Sequence, residues 1–74
     1  MYVVTETSNV VEGGNAFMYE KEEDGINKLK ELYKERMKTV IYLDRENTYI
    51  NKKFTYAQIS DGICINKLRL IKCA

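Results

Sequence analysis

Apolar residues recur three or four positions apart between residues 21 and 38, in the stretch KEEDGINKLKELYKERMK. Together they form one face of a helix: Ile26, Leu29, Leu32, Tyr33 and Met37. Most residues between them are Lys, Glu or Arg, with acidic groups in the first turn and basic groups in the last, as the helix dipole favours. The pattern predicts an amphipathic helix over residues 21–38 that covers a sheet.

Gly25 lies at the edge of this apolar face and has two interpretations. In the first, the helix passes close to a sheet at this position, which a glycine permits. In the second, Asp24 is the N-cap and the helix begins at Gly25. The sequence leaves both open.

The residues on either side of the helix follow strand-like patterns. Tyr2–Ser8 is rich in β-branched residues and predicts a strand. The two glycines within residues 12–15 predict a turn, followed by a return strand over residues 16–20. After the helix, residues 39–44 (TVIYLD) are apolar on both faces, which predicts a central strand.

The C-terminal part of the chain also alternates in polarity. Residues 48–60 are interrupted by a polar stretch at residues 51–53, which predicts a bend, a bulge or a second turn. The Asp-Gly pair at residues 61–62 predicts a type I′ hairpin turn. Residues 63–73 then form the last strand, and a change of apolar phase near residues 66–67 predicts a bulge.

These elements predict an α+β domain of two layers that spans residues 1–74. One α-helix packs on an antiparallel sheet of four or five strands, in the order β-β-α-β-β-β. A chain of 74 residues has room for one domain with a thin core.

Composition narrows the classes of function. The chain has no His, which removes the commonest general base and the commonest metal ligand. A net charge of +1 argues against an acidic mimic of DNA and against a strongly basic nucleic-acid binder. The chain has neither an apolar run long enough for a membrane helix nor a signal-peptide pattern, so we expect a cytoplasmic protein with no membrane partner.

The two cysteines, Cys64 and Cys73, are predicted to be free thiols. If both lie on the last strand, they are separated by about 30 Å. A disulfide requires Cα atoms within about 7 Å, so an intrachain bond would need an interrupted strand. Free thiols are typical of a reducing compartment.

We expect no cofactor, no metal site and no catalysis. Cys64 and Cys73 are the only soft metal ligands, and no His completes a zinc site. The carboxylates of the predicted turns lack calcium-loop spacing and suit turn chemistry: Asp44, Glu46 and Asp61. Cys64 has no neighbouring base in the sequence and resembles a small core residue.

Charged side chains of the helix form one candidate binding surface. Helical geometry places four acidic residues in one sector, provided that the helix begins early enough to include the first of them: Glu20, Asp24, Glu31 and Glu35. Glu31 and Glu35 would form an acidic ridge that docks on a basic protein surface. The alternative is an ordinary solvated face.

A basic cluster near the C-terminus is the second candidate surface. It comprises five cations: Lys52, Lys53, Lys67, Arg69 and Lys72. Tyr49, Phe54 and Tyr56 lie among them, and cations with interleaved aromatic rings on a sheet bind single-stranded nucleic acid. The alternative is that the lysines protect a sheet edge from aggregation.

The six tyrosines indicate a third candidate surface. One helix covers one face of such a sheet, so the other face meets solvent or a partner. The candidates for this partly apolar outer face are Tyr2, Val4, Tyr42 and Tyr56. Such a face suits dimerisation or partner binding.

We therefore expect a small non-catalytic intracellular module that binds another protein, through Glu31, Glu35, Tyr42 and Tyr56. The strand–glycine turn–strand–helix opening is similar to that of many small proteins of phages and mobile elements. This resemblance of architecture and composition implies an accessory protein that inhibits a host defence enzyme, as anti-CRISPR proteins do. The alternative function is nucleic-acid binding through Lys52, Lys53, Lys67 and Arg69. A homodimer or a small enzyme subunit without a ligand is a third hypothesis.

Overall fold

One helix lies across one face of a five-stranded antiparallel sheet in the computed structural model, which describes residues 1–73. In chain order the elements are β1 (Tyr2–Ser8), β2 (Gly14–Tyr19), α1 (Glu22–Thr39), a 3₁₀ turn (Arg45–Asn47), β3 (Tyr49–Ile50), β4 (Tyr56–Ser60) and β5 (Ile65–Lys72). The strands are arranged β2-β1-β5-β4-β3, and every neighbouring pair is antiparallel. The predicted two-layer α+β architecture and the order β-β-α-β-β-β are confirmed.

The helix buries the apolar face that its sequence predicts. Leu29 and Leu32 are buried against the sheet, and Tyr33 and Met37 pack around them. Acidic residues occupy the first turn and basic residues the last, which complements the helix dipole. Lys21 is the N-cap residue and the helix starts at Glu22, so the alternative start at Gly25 is wrong.

Gly25 is the point at which α1 comes closest to the sheet. A Cβ atom at Gly25 would lie 2.7 Å from Leu70 Cδ1 of β5. The first interpretation of this glycine, close approach of the helix to a sheet, is therefore confirmed. Because Gly25 has no side chain, α1 can pack closely against β1 and β5.

We expect Gly25→Leu to lower the free energy of unfolding by about 1–3 kcal/mol, because the new side chain overpacks the space held by Leu70. Urea unfolding at neutral pH measures this change. The matched control is Asn27→Leu on the exposed side of α1, which should be close to neutral. Equal effects at the two positions would contradict the close approach.

The core lies between α1 and the three middle strands. It consists of six buried apolar residues: Val4, Leu29, Leu32, Ala57, Ile59 and Leu68. β1 contributes Val4, β5 contributes Leu68, and β4 contributes Ala57 and Ile59, which are spaced by two as the alternation of a strand requires. So small a core leaves little surplus stability, which makes each of these side chains important.

The predicted bulge in the last strand is wrong. β5 pairs with β1 in continuous register, from Tyr2 opposite Lys72 to Ser8 opposite Asn66. The change of apolar phase has another cause, because Ile63 lies in the turn before the strand and is 83% exposed. Cys64 and Cys73 flank the two ends of β5, and both thiols are free.

The predicted central strand over residues 39–44 is also wrong. Thr39 ends α1, and the following residues form an irregular connection that joins β4 through the hydrogen bond from Asp44 N to Ser60 O. Val40 and Leu43 pack against the core, whereas Ile41 is fully exposed. The apolar, β-branched composition of this stretch favours a strand. Its side chains at every third position are instead buried without strand pairing.

The interruption predicted at residues 51–53 is a turn between β3 and β4. Asn51 Oδ1 organises it by accepting hydrogen bonds from the N–H groups of Thr55 (2.8 Å) and Tyr56 (3.1 Å). Phe54 takes a left-handed φ of 57° in this turn. The third strand of the sheet is therefore Tyr49–Ile50 instead of residues 39–44.

The hairpin predicted at Asp61-Gly62 is present between β4 and β5, but its turn type differs from the prediction. A type I′ turn needs positive φ at both central residues, and within residues 61–64 only Gly62 has it, at 92°. Asp61 Oδ1 instead accepts hydrogen bonds from the N–H groups of Ile63 (2.9 Å) and Cys64 (2.6 Å). These bonds hold the pKa of Asp61 below its ordinary value.

Candidate functional site

The face of the sheet opposite α1 remains partly exposed over all five strands, and we call it the open face. Strand alternation places every second residue on it. Its exposed and half-buried side chains are those of Val3, Thr5, Thr7, Ala16, Met18, Tyr49, Tyr56, Gln58, Ile65, Lys67, Arg69 and Ile71. Lys67 and Arg69 are the only charged residues among these strand positions.

Three side chains in register form an apolar row across the open face. Val3 lies opposite Met18 of β2 on one side and opposite Ile71 of β5 on the other. Met18 is 65% exposed and Ile71 is 45% exposed. Adjacent exposed apolar side chains of this size are typical of interaction surfaces.

Beside the apolar row lies a tyrosine–cation cluster of Tyr49, Tyr56, Lys67 and Arg69. The ring centroids of Tyr49 and Tyr56 are 5.8 Å apart, and Arg69 Cζ lies 5.5 Å from the Tyr56 ring centroid. The Tyr56 hydroxyl donates a hydrogen bond to Gln58 Oε1 at 2.6 Å. Burial, and then the neighbouring Tyr49, raises the pKa of Tyr56, so this hydroxyl stays protonated and keeps donating.

The basic residues predicted to bind nucleic acid are divided by the fold. Lys67 and Arg69 belong to the open face, while Lys52 and Lys53 are exposed in the turn between β3 and β4 at one end of the sheet. Lys72 lies opposite Tyr2 on the helix side of the sheet, so it does not join them.

The four residues predicted to bind a protein partner lie on three separate surfaces. Glu31 and Glu35 are exposed on α1, where Lys28 Nζ is 3.5 Å from a Glu31 carboxylate oxygen. Tyr42 is 73% exposed in the connection after α1. Tyr56 alone lies on the open face.

The prediction that Tyr2 and Val4 belong to the outer face is wrong. Val4 is completely buried beneath α1, and Tyr2 points to the same side of β1. Tyr2 Cβ and Val4 Cγ2 lie only 3.7 and 3.8 Å from the position of a Cβ at Gly25. Strand alternation places Val3 on the open face instead.

On the helix side, Glu6 and Arg36 form an ion pair beside an open cavity of about 380 Å³. Arg36 donates two hydrogen bonds to the Glu6 carboxylate, one from Nη2 to Oε1 at 2.9 Å and one from Nε to Oε2. Asn15 Nδ2 donates a third to Oε1 at 2.9 Å. These contacts satisfy the carboxylate of a residue that is only 7% exposed.

The groups around this cavity are poorly suited to acid–base or nucleophilic chemistry. Hydrogen bonds from Arg36 lower the pKa of Glu6, which makes its carboxylate a weak base. Cys64 Sγ lies 3.2 Å from Ser8 Oγ, and a hydroxyl is neither a base nor a cation that would activate a thiol. Within residues 1–73, no three His, Cys, Asp or Glu side chains cluster closely enough to hold a metal ion.

Sequence reasoning missed both the apolar row and the Glu6–Arg36 pair. In β1, Val3 and Val4 make the two faces equally apolar, so alternation alone does not say which face α1 covers. The one available signal for the pair was Arg36, a cation next to Tyr33 and Met37 on the face of α1 that packs on the sheet. A partly buried cation at that position favours a carboxylate opposite it.

The described part of the chain, residues 1–73, holds no helix with the length and apolarity needed to cross a membrane. Comparison of the chain with models of protein families, with curated proteins and with solved structures finds no match.

Proposed function

We propose that this protein is a non-catalytic module that binds another protein through its open face. The observation that carries this proposal is the apolar row of Met18, Val3 and Ile71 beside the tyrosine–cation cluster. The centres of protein interfaces combine buried apolar contacts with adjacent Tyr and Arg side chains. Inhibition of a host defence enzyme is one form that such binding would take.

The charged residues of the open face indicate which kind of partner surface would be complementary to it. Lys67 and Arg69 are its only charged strand residues, so a complementary surface has an apolar centre with carboxylates beside it. Tyr49 and Tyr56 are rigid, and ordering them on binding costs little conformational entropy. The acidic residues of α1 lie on the other layer and stay outside this contact.

We expect Ile71→Asp and Tyr56→Ala each to weaken the complex by about 1–3 kcal/mol, because both truncate or charge the centre of the open face. The partner is first identified by affinity purification from the native host with mass spectrometry, and binding is then measured by titration calorimetry. The matched control is Glu31→Lys with Glu35→Lys, which alters only the exposed side of α1. A loss of affinity confined to the helix variant would contradict the proposal and favour the acidic ridge.

A second candidate function is binding of single-stranded nucleic acid, which the placement of Tyr49, Tyr56, Lys67 and Arg69 on one sheet face favours. Aromatic rings on such a face stack bases while cations contact phosphates. We rank it second because two cations on the face give a weak electrostatic attraction.

Fluorescence anisotropy with labelled DNA and RNA oligonucleotides at about 150 mM salt tests this candidate. We expect no measurable binding under these conditions. Micromolar binding that disappears when Lys52, Lys53, Lys67 and Arg69 are changed to Gln would reverse the ranking. Changing only Lys52 and Lys53 to Gln, which lie outside the open face in the turn between β3 and β4, should leave a protein complex centred on the apolar row largely intact.

A further inference from the structure

The outer edge of β2 is open to pairing. β2 is the terminal strand of the sheet, and within residues 1–73 no strand pairs with its outer side. Gly14, Asn15, Ala16 and Met18 are all exposed. At this edge the backbone itself is accessible, which makes it a surface of a different kind from the open face.

The hydrogen-bond pattern shows which backbone groups point outward from β2. Cys73 N donates to Met1 O at 2.9 Å and Asn9 N donates to Ile65 O at 3.3 Å, so the odd-numbered residues of β1 bond to β5. By alternation, the even-numbered residues of β1 bond to their partners on β2, which carry odd numbers. The N–H and C=O groups that point away from the sheet are therefore those of the even-numbered residues Gly14, Ala16 and Met18.

This edge lacks the features by which sheet edges avoid pairing. The six residues of β2, GNAFMY, include no charged residue and no proline. The opposite edge differs, since β3 is only two residues long and is flanked by a 3₁₀ turn and the turn at residues 51–55. One edge is thus blunted by its shortness, and the other presents a strand of six residues.

We propose that two copies of this chain pair through β2 in antiparallel register about a two-fold axis at Ala16, which joins their two five-stranded sheets into one continuous sheet. Ala16 then lies opposite its own copy, and Gly14 lies opposite Met18 of the second molecule. All three outward residues of each copy gain both backbone hydrogen bonds. The exposed Met18 side chain lies over Gly14, which has no side chain to obstruct it.

Two features favour a second copy as the occupant. β2 is self-complementary about Ala16 and carries no charged residue, so residues 14–18 of the two copies pair without bringing like charges together; Glu12 and the Glu20 that it faces in the second molecule lie beyond these residues and are exposed to solvent. A net charge of +1 adds little long-range repulsion between copies. The interaction goes beyond the proposed function, because it uses the backbone edge of β2 and shares only the side chains of Ala16 and Met18 with the open face.

The alternative register, centred on Phe17, is less favourable. The Lys28 ammonium lies 4.5 Å from the Phe17 ring centroid. Centring the axis on Phe17 would place the two rings opposite each other and bring the two Lys28 ammonium groups together. In the register centred on Ala16, Phe17 lies opposite Asn15 of the second molecule, which carries no charge.

Charge substitution at the axis tests the proposal. We expect the wild-type chain to dimerise in sedimentation-velocity runs at concentrations up to about 1 mM, the weak end of specific association. Ala16→Lys and Ala16→Asp should each weaken dimerisation about fivefold or more, because like charges then lie directly opposite. An equimolar mixture of the two variants should restore the dimer. The matched control is Thr5→Lys, which places the same charge on the open face of β1, away from the edge.

A wild-type chain that stays monomeric throughout overturns the proposal, as does a dimer that Ala16→Lys leaves unchanged. If the equimolar mixture of the Ala16→Lys and Ala16→Asp variants does not restore the dimer, β2 pairs with an extended peptide or the dimer forms through another surface. This result also overturns the proposal.

Should the charged variants unfold, Ala16→Cys provides a second measurement. Opposed Cα atoms in the proposed register lie about 5.5 Å apart, within disulfide range. Mild oxidation should therefore join the two substituted positions in an intermolecular disulfide, which peptide mapping detects. The absence of this cross-link from a protein that remains dimeric would refute the register.

Discussion

Replacing Leu29 with alanine should leave the protein largely unfolded or strongly destabilised. Leu29 has no exposed surface and lies at the centre of the helix face that covers the sheet. Truncation of a buried leucine costs about 2–5 kcal/mol, while a domain of this size has a total stability of only about 5 kcal/mol. Thermal and urea unfolding followed by circular dichroism measure the loss.

Ile41→Ala is the matched control for Leu29→Ala. Ile41 is fully exposed in the connection after α1, so its truncation should change the free energy of unfolding by less than about 0.5 kcal/mol. The same variant tests the position of the third strand. A large loss at Ile41 would mean that residues 39–44 do form a buried strand, and a small loss at Leu29 would contradict the helix face.

Removing Arg36 has the second largest expected effect. Arg36→Ala leaves the Glu6 carboxylate buried without its main partner, and breaking a buried pair in this way costs about 3–5 kcal/mol. We expect about 3 kcal/mol, because the Arg36 side chain is 31% exposed and water screens part of the interaction. Urea unfolding at neutral pH measures it. The matched control is Glu31→Gln, which removes the exposed partner of Lys28 and should be near neutral.

The pH dependence of stability identifies Glu6 as the group responsible. In the folded protein the hydrogen bonds from Arg36 hold the pKa of Glu6 below its ordinary value of 4.5. The pair therefore contributes its full stabilisation above about pH 4.5, and the contribution is lost as the pH falls through the lower folded-state pKa.

Arg36→Ala removes the main cause of the lowered pKa of Glu6 while burial still opposes ionisation, so the difference in stability between wild type and Arg36→Ala should shrink on acidification. The difference should be largest near neutral pH and much smaller at about pH 3. A difference that stays constant over this range would indicate lost packing of the Arg36 stem. Glu6→Gln, which has no carboxylate to titrate, should flatten the acid limb of the wild-type curve.

The elements that the sequence predicted well are those whose signals are local. The helix stripe around Leu29 and the turn signals at Gly13 and Gly62 depend on residues close in the chain, and each element lies near its predicted position. The stretch around Ile41 failed because its composition suits a strand, but the sheet edge it would have joined is filled by Tyr49–Ile50. Which segment pairs at a sheet edge depends on the topology of the whole fold, and local strand propensity carries no information about that topology.

The candidate site was harder to predict, because it depends on which side of β1 the helix covers. Glu6 lies on the same side as Val4, and a charged residue there suggests solvent. Its burial follows from Arg36, which is 30 residues away in the chain. Once that pairing is known, Val3 falls on the open face and the apolar row with Met18 and Ile71 follows from the strand register.

The position of β5 at the centre of the sheet has a consequence for how the chain folds. β1 and β5 are neighbours in the sheet although they lie near opposite ends of the sequence, so Val4 pairs with Leu70. Until β5 has left the ribosome, β2–β1 and β3–β4 are separate hairpins, and an isolated hairpin is marginally stable at best. Closing so long a loop also slows folding. Until β5 is in place, the sides of β1 and α1 that pack on it have no cover, which exposes these apolar residues to chaperones and proteases.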